Sequence, residues 1–159
     1  MSAKRMKVGG VLVTKDVGMI SVLGASAAPG IAGIVLDALG RIGINVEFIS
    51  CCPDLGDGYT ISVCVRMDGF DEALDAIEDV RQQVGAQQVA TNPDLCVVAV
   101  FGPHFREIPN IASRIFKAHA EIGITILAIS TSISSVSCVF DQRRLNEALA
   151  TLRDRFEVP

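Results

Sequence analysis

The sequence predicts an α+β protein built from two copies of a βαββαβ unit, each a four-stranded antiparallel sheet with two helices on one face. Three observations carry that expectation. The chain matches itself at an offset of 80 residues: Pro29-Gly30-Ile31-Ala32 falls on Pro109-Asn110-Ile111-Ala112, and nine of the twenty-two positions from Pro29 to Ser50 are identical, against about one or two by chance. A second block matches at an offset of 75, with Ile61-Ser62-Val63 on Val136-Ser137-Cys138 and Glu72-Ala73-Leu74 on Glu147-Ala148-Leu149. Half of the 159 residues are hydrophobic and only 20% are charged, enough to fill an aliphatic core.

The elements follow in order along the first copy. Met19–Leu23 is a short aliphatic run ending at Gly24, which reads as a strand. Pro29 then stands where proline is welcome, in the first turn of a helix. Ile31, Ile34, Val35, Ala38, Leu39 and Ile42 recur at i, i+3, i+4, i+7, i+8 and i+11, one apolar stripe at helical period, and Gly43 closes it. Ile44–Cys52 and Tyr59–Arg66 read as an antiparallel pair of strands around the turn-forming Pro53–Gly58 segment. Phe70–Val84 reads as the second helix, closed by Gly85, and Gln87–Thr91 as the fourth strand.

The second copy repeats this from Leu95 and lacks the Pro53–Gly58 insertion. Its helix stripe is Ile111, Ile115, Ala118 and Ile122, and its second helix presents Leu145, Leu149 and Leu152. The sequence ends at Phe156-Glu157-Val158-Pro159, leaving no segment for its last strand. The unmatched β-compatible stretch Val8–Val13 is expected to supply it. The expected domains are therefore 14–92, and 93–159 completed by the N-terminal strand 8–13, so that the first unit is an insertion in the second.

Charge and composition exclude several functions. The net charge is −4, and the 14 Lys and Arg residues are scattered, which speaks against the concentrated cationic surface that a nucleic acid or an anionic membrane attracts. The strands carry Val, Ile, Ser and Cys, without the stacking aromatics that RNA-binding sheets of the same element order require. No nucleic-acid partner and no membrane are expected. No apolar run approaches ~18 residues, and Met1–Lys7 leads into a Gly-Gly pair, not a signal-peptide core. A cytoplasmic location is expected.

Chemistry-bearing residues are few. Of the five cysteines, Cys51, Cys52, Cys64, Cys96 and Cys138, most lie in β-branched runs and read as small apolar packing groups, without disulfides. Cys51 and Cys52 are adjacent and lack C-x-x-C spacing, so metal binding is not expected. The histidines are His104 and His119; the latter occupies the helix position that matches Leu39 and reads as partly buried or interfacial. The serine run Ile129–Ser137 lacks the Gly-x-Ser-x-Gly elbow of a nucleophile and reads as a half-solvated strand. No paired acids, nucleophile with a base, or phosphate loop is visible; no cofactor and no catalysis are expected.

The residues that carry the repeat also resemble a known family. Ile20-Ser21-Val22, Pro29-Gly30-Ile31-Ala32, Gly43-Ile44-Asn45-Val46 and Ile61-Ser62-Val63 in the first unit, with Ile129-Ser130-Thr131-Ser132, Val136-Ser137, Leu145-Asn146-Glu147-Ala148-Leu149 and Leu152–Phe156 in the second, are similar to tandem ACT domains. The likeness is greatest to the C-terminal regulatory region of aspartate kinases. It covers nearly the whole chain from Val8 and implies two ferredoxin-like units that dimerise through sheets or helices and bind a small amino acid, in that family typically lysine or threonine.

The resemblance implies a ligand between ACT units, against the loop before the first helix and the start of the following strand. The ligand-binding residues it implies are Pro29, Gly30, Ile31 and Ala32, with Asn45, Val46 and Glu47, and Thr125 and Ile126 in the second unit. The physics runs the same way: helix N-terminal N–H groups attract a carboxylate, glycine lets backbone approach closely, and Asn45 offers its amide to an ammonium. The family's acidic residue two positions before the proline is Ala27 here, its strand glutamine is Cys51, and Gly123 and Thr125 replace polar residues of the second unit.

Two functions follow. One is a non-catalytic regulatory protein, a homodimer, that binds a small amino acid at an ACT–ACT interface and transmits this to a partner such as an amino-acid biosynthetic enzyme. The alternative is a structural adaptor or detached regulatory subunit that dimerises without a small molecule. Gly30 and Asn45 favour the first; Ala27 favours the second.

Overall fold

The computed structural model describes residues 5–103 and 105–159; His104 lies outside them. Along the chain run β1 (Met6–Lys7), β2 (Gly10–Ser26), α1 (Ile31–Arg41), β3 (Phe48–Pro53), β4 (Gly58–Arg66), α2 (Phe70–Val80), β5 (Gln88–Phe101), α3 (Ile111–Glu121), β6 (Ala128–Thr131), β7 (Ser135–Asp141), α4 (Leu145–Arg155) and β8 (Phe156–Glu157). Two compact units result. The first is Asp16–Leu95, and the second combines Met1–Lys15 with Cys96–Pro159.

Each unit is ferredoxin-like. In the first, the strand order is β3-β4-β2-β5, with α1 and α2 supplied by the helical stripes. Register is set by alternation: Ile20 faces Val63, and Val22 faces Ile61. These four pack with Val35 and Leu39 of α1 and Ala73 and Ile77 of α2. Gly18 lets the helix approach, because a Cβ there would collide with the Phe70 ring. In the second unit, the order is β2-β5-β7-β6. Val98, Val100, Cys138 and Phe140 pack beneath Ile111 and Ile115 of α3 and Leu145, Ala148 and Leu152 of α4.

Several elements differ from the sequence expectation. Residues 10–13 of the expected Val8–Val13 strand and Met19–Leu23 belong to one 17-residue strand, β2, and residues 88–91 of the expected Gln87–Thr91 strand continue through Leu95 in the 14-residue β5. The polar breaks that read as linkers are absorbed within the strands by Asp16 (φ 55°) and Asp94 (φ 58°). Aspartate tolerates such left-handed residues better than most.

The terminus expected to lack a strand forms β8, whose Phe156 and Glu157 pair in parallel with Met6 and Lys7. The second helix stops at Val80, and residues 81–85 continue as turns in which the Gly85 N–H donates to the Gln82 carbonyl at 3.1 Å. Ile129–Ser137 is a hairpin of β6 and β7, turned at Ser132, whose Oγ accepts the Ser135 N–H at 3.1 Å. Ile42, placed on the buried stripe by spacing, is 48% exposed, because α1 ends one residue before it.

Candidate functional site

The N-terminus of α1 is an open cationic end. Gly30 caps it in the left-handed conformation (φ 89°, ψ −2°), and its carbonyl accepts the Ile34 N–H at 3.1 Å. Pro29 therefore precedes the cap and does not sit in the first helical turn. No side chain caps this end, and no acid stands in the first turn, so the first N–H groups point outward with the positive end of the helix dipole. Residues 27–30 are exposed, Ile31 is buried as the anchor, and Ala32 is half-buried. A Cβ on Gly30 would meet nothing within 4 Å; glycine is favoured there by its φ, and the space beside it is open.

Asn45, Val46 and Glu47 lie at the other end of α1. Gly43 (φ 76°) terminates the helix, with its N–H on the Gly40 carbonyl and the Ile44 N–H on the Leu39 carbonyl, both at 3.0 Å. Asn45 and Glu47 are exposed and Val46 is half-buried. They form a loop, not the strand edge expected, since β3 begins at Phe48. Register measures the separation. Ser26, just before the Gly30 loop, is opposite Gly58, whereas Cys64, whose carbonyl accepts the Glu47 N–H at 2.8 Å, is opposite Met19. Seven strand residues span roughly 20 Å, so the two halves of the expected site do not meet within one unit.

The second unit repeats this geometry with altered chemistry. Asn110 (φ 70°, ψ 10°) replaces Gly30 at the α3 cap, and Thr125 (exposed) and Ile126 (half-buried) follow its far end. There the Leu127 N–H donates to the Val139 carbonyl at 2.8 Å, as Glu47 does to Cys64. Arg144 adds a strap. Its guanidinium donates to the carbonyls of Ile122 (2.6 Å) and Gly123 (3.3 Å) and pairs with Glu147 at 2.8 Å. The matching position in the first unit is Gly69.

Asp54 is a site-proximal residue that sequence reasoning missed. It sits in the Pro53–Gly58 insertion, at the same end of the sheet as Gly30. Its Oδ2 accepts the Gly24 N–H at 3.2 Å and the Thr60 hydroxyl at 2.7 Å, and its own N–H donates to the Gly58 carbonyl at 2.9 Å. The turn residues signalled a loop; nothing local signalled that its carboxylate closes back on β2.

The remaining reactive groups divide by burial. Cys51 and Cys52 are exposed on β3, not packed as expected, because β3 is the edge strand of its sheet. Cys64, Cys96 and Cys138 are buried. His119 is fully buried, with Nδ1 4.0 Å from the Cys138 Sγ and its ring centroid 5.5 Å from that of Phe140; among the described residues Nε2 has no partner. Burial holds its pKa below the usual histidine value. Among the described residues, no group of three or more His, Cys, Asp or Glu residues is placed to hold a metal, and no helix is long and apolar enough to cross a membrane.

The two units repeat one architecture, and residues 98–156, within the second, match the ACT domain family. The chain is homologous to aspartate kinases. It is 29% identical over 153 residues to an aspartokinase of Thermus thermophilus, covering 95% of this chain and 38% of that protein. It is 26% identical over 153 residues to an aspartate kinase of Stutzerimonas stutzeri, covering 95% and 37%. It thus spans little more than a third of these relatives.

Solved structures match it end to end. The regulatory subunit of aspartate kinase from Thermus thermophilus, in its ligand-free form, superposes with a TM-score of 0.84 at 29% identity, over 94% of this chain and 98% of that one. A chain from the structure of aspartokinase alpha and beta subunits gives 0.85 at 27% identity, over 95% and 99%. Homology to the regulatory subunit, with the ACT domain match, supports a regulatory role.

Proposed function

We propose that the protein is a non-catalytic regulator that binds a small amino acid between ACT units of a homodimer and passes the resulting change of arrangement to an amino-acid biosynthetic enzyme. The observation that carries the binding reading is the open Gly30 end of α1, with Asn45–Glu47 held roughly 20 Å away at the far end of the same unit. A ligand can touch both only if a neighbouring unit runs in the opposite direction. Its carboxylate then meets the N–H groups from Ile31 to Gly33, while Asn45 and Glu47 of the neighbour face its ammonium. The ligand lowers the free energy of the paired arrangement alone, and a partner that contacts the dimer reads that population shift.

Thermal unfolding against the twenty amino acids at millimolar concentration tests this reading. A ligand at ~100 times its dissociation constant adds about 2.7 kcal/mol, a rise of about 5–10 °C for a chain of this size. The expected result is one selective shift, lost in Asn45→Ala and in Gly30→Ala. A flat panel overturns amino-acid binding and leaves the adaptor reading, which Ala27 favours, since it removes a carboxylate from the Gly30 loop.

A further inference from the structure

The fold gathers three basic residues that the sequence scatters. Arg114 and Lys117 stand one turn apart on α3, and Arg155 is the last residue of α4. With Ala118, Glu121 and Phe156 they line a pocket of about 160 Å³ where α3 faces the junction of α4 and β8. Its base is apolar, because Ala118 and Phe156 are buried, and Phe156 is held in place by its parallel pairing with Met6. The pocket lies within the unit formed by Met1–Lys15 and Cys96–Pro159 and shares no residue with the proposed amino-acid site.

The charges in this pocket do not balance. Glu121 is the one carboxylate in the lining, and Arg155 already holds it. Among the described residues, no side chain answers Arg114 or Lys117; Arg114 is engaged through its backbone N–H, which donates to the Asn110 carbonyl at 3.0 Å. The other nearby carboxylates lie elsewhere. Asp154 and Glu157 do not line the pocket, Glu157 is taken by Lys7 at 3.7 Å, and Pro159 lines a separate cleft with Arg153. Three cations against one carboxylate thus leave two positive charges unanswered, in a chain whose net charge is −4. Like charges three residues apart on a helix repel each other, and an anion seated between Arg114 and Lys117 turns that repulsion into attraction.

We infer that this pocket binds a phosphate group, free or carried by a small monoester. Three properties select it. The volume admits a phosphate and is too small for a whole nucleotide. The two negative charges of a phosphate match the two unanswered positive ones. The cations come from both walls, α3 and α4, so a tetrahedral group can present oxygens to each, whereas a carboxylate offers its two oxygens in one plane. Arg114 supplies the planar guanidinium fork that suits two phosphate oxygens, Lys117 acts as a point charge, and Arg155 turns a further N–H to the phosphate while keeping Glu121. Nothing in this site depends on amino-acid binding at Gly30.

Calorimetry and amide NMR spectra of the full chain in physiological salt, with orthophosphate, glycerol 3-phosphate and succinate, test the inference. Saturable binding of orthophosphate at millimolar concentration is expected, with shifted amides at residues 114–121 and 155–156. Tighter binding of glycerol 3-phosphate would assign the site to a monoester, and tighter binding of orthophosphate to the free ion. Succinate, of the same charge, should bind about tenfold more weakly for want of a third oxygen at one centre. Arg114→Gln and Lys117→Gln, both at exposed positions, should each weaken phosphate about tenfold with an unchanged melting temperature. Glu121→Gln, which releases Arg155, should tighten it, and Arg66→Gln, the same loss of charge in the other unit, should leave it unchanged. Absence of saturation, equal binding of succinate, amide shifts spread over the basic residues of both units, or undiminished binding by Arg114→Gln and Lys117→Gln would each overturn the inference.

Discussion

Replacing His119 by leucine should stabilise the protein. His119 is fully buried on α3, and whichever tautomer it adopts, Nε2 has no partner among the described residues while Nδ1 is 4.0 Å from the Cys138 Sγ. The Cys138 thiol also donates to the Val98 carbonyl at 3.6 Å, so removing the imidazole leaves it satisfied. A buried polar group without a partner costs about 1–3 kcal/mol. The first unit shows which residue fits, because Leu39, fully buried, occupies the matching position of α1. The gain expected for His119→Leu is about 1–2 kcal/mol by urea unfolding at pH 7.5, or about 2–8 °C in Tm.

The pH dependence is a second readout of the same group. Burial lowers the pKa of His119 in the folded state, so below about 6.5 the unfolded chain takes up a proton that the folded one refuses. This contribution to stability is full above pH 6.5 and is lost as pH falls. Between pH 7.5 and 5.5 the parent should lose more stability than the variant. His104 is present in both proteins and cancels. A variant no more stable than its parent, or one with the same acid slope, would refute the reasoning.

Two further expectations can be checked on the same samples. Ellman's reagent should modify Cys51 and Cys52 in the native protein, whereas Cys64 and Cys138, pushed up to about 12 by burial, and Cys96, pushed up to about 11, should react only on unfolding; more than two fast thiols would contradict the burial pattern. Asp54→Ala strips the partners from the Gly24 N–H and the Thr60 hydroxyl and should cost about 1–2 kcal/mol in urea unfolding; a loss near zero would show that water replaces the carboxylate.

Most of the fold was legible because it is written twice. The stripe from Ile31 to Leu39 and its echo from Ile111 to His119 mark helices by period alone, and Gly43 and Gly123 end both with positive φ. Strand continuity was not legible. Lys15-Asp16 and Pro93-Asp94 look like breaks, yet β2 and β5 run through them with one left-handed aspartate in each. The β1–β8 pair rests on two residues from each end of the chain, too few to leave a pattern. At the candidate site the glycine conformation followed from Pro29-Gly30, but the distance to Asn45 did not. Spacing along a chain says nothing of ends, whereas a strand–helix–strand crossover places the two loops flanking a helix at opposite ends of the sheet.

The duplication also bears on which unit carries the proposed amino-acid site. Matching positions have diverged in a consistent direction: Gly30 against Asn110 at the helix start, Gly69 against Arg144 beyond the helix end, Asp54 against a deletion. In the second unit, Arg144 ties the carbonyls of Ile122 and Gly123 to Glu147 and holds the loop that leads to Thr125. In the first, no side chain among the described residues straps the loop from Gly43 to Glu47 as Arg144 does, and the cap glycine has open space beside it. A loop that must respond to a ligand has to be free to move at small cost, and a strapped one would surrender several charge-assisted hydrogen bonds to do so. On the proposed reading, the first unit is therefore the responsive one and the second its braced counterpart. Arg144→Ala should loosen residues 122–126 in hydrogen exchange without altering the amino-acid response of the first unit.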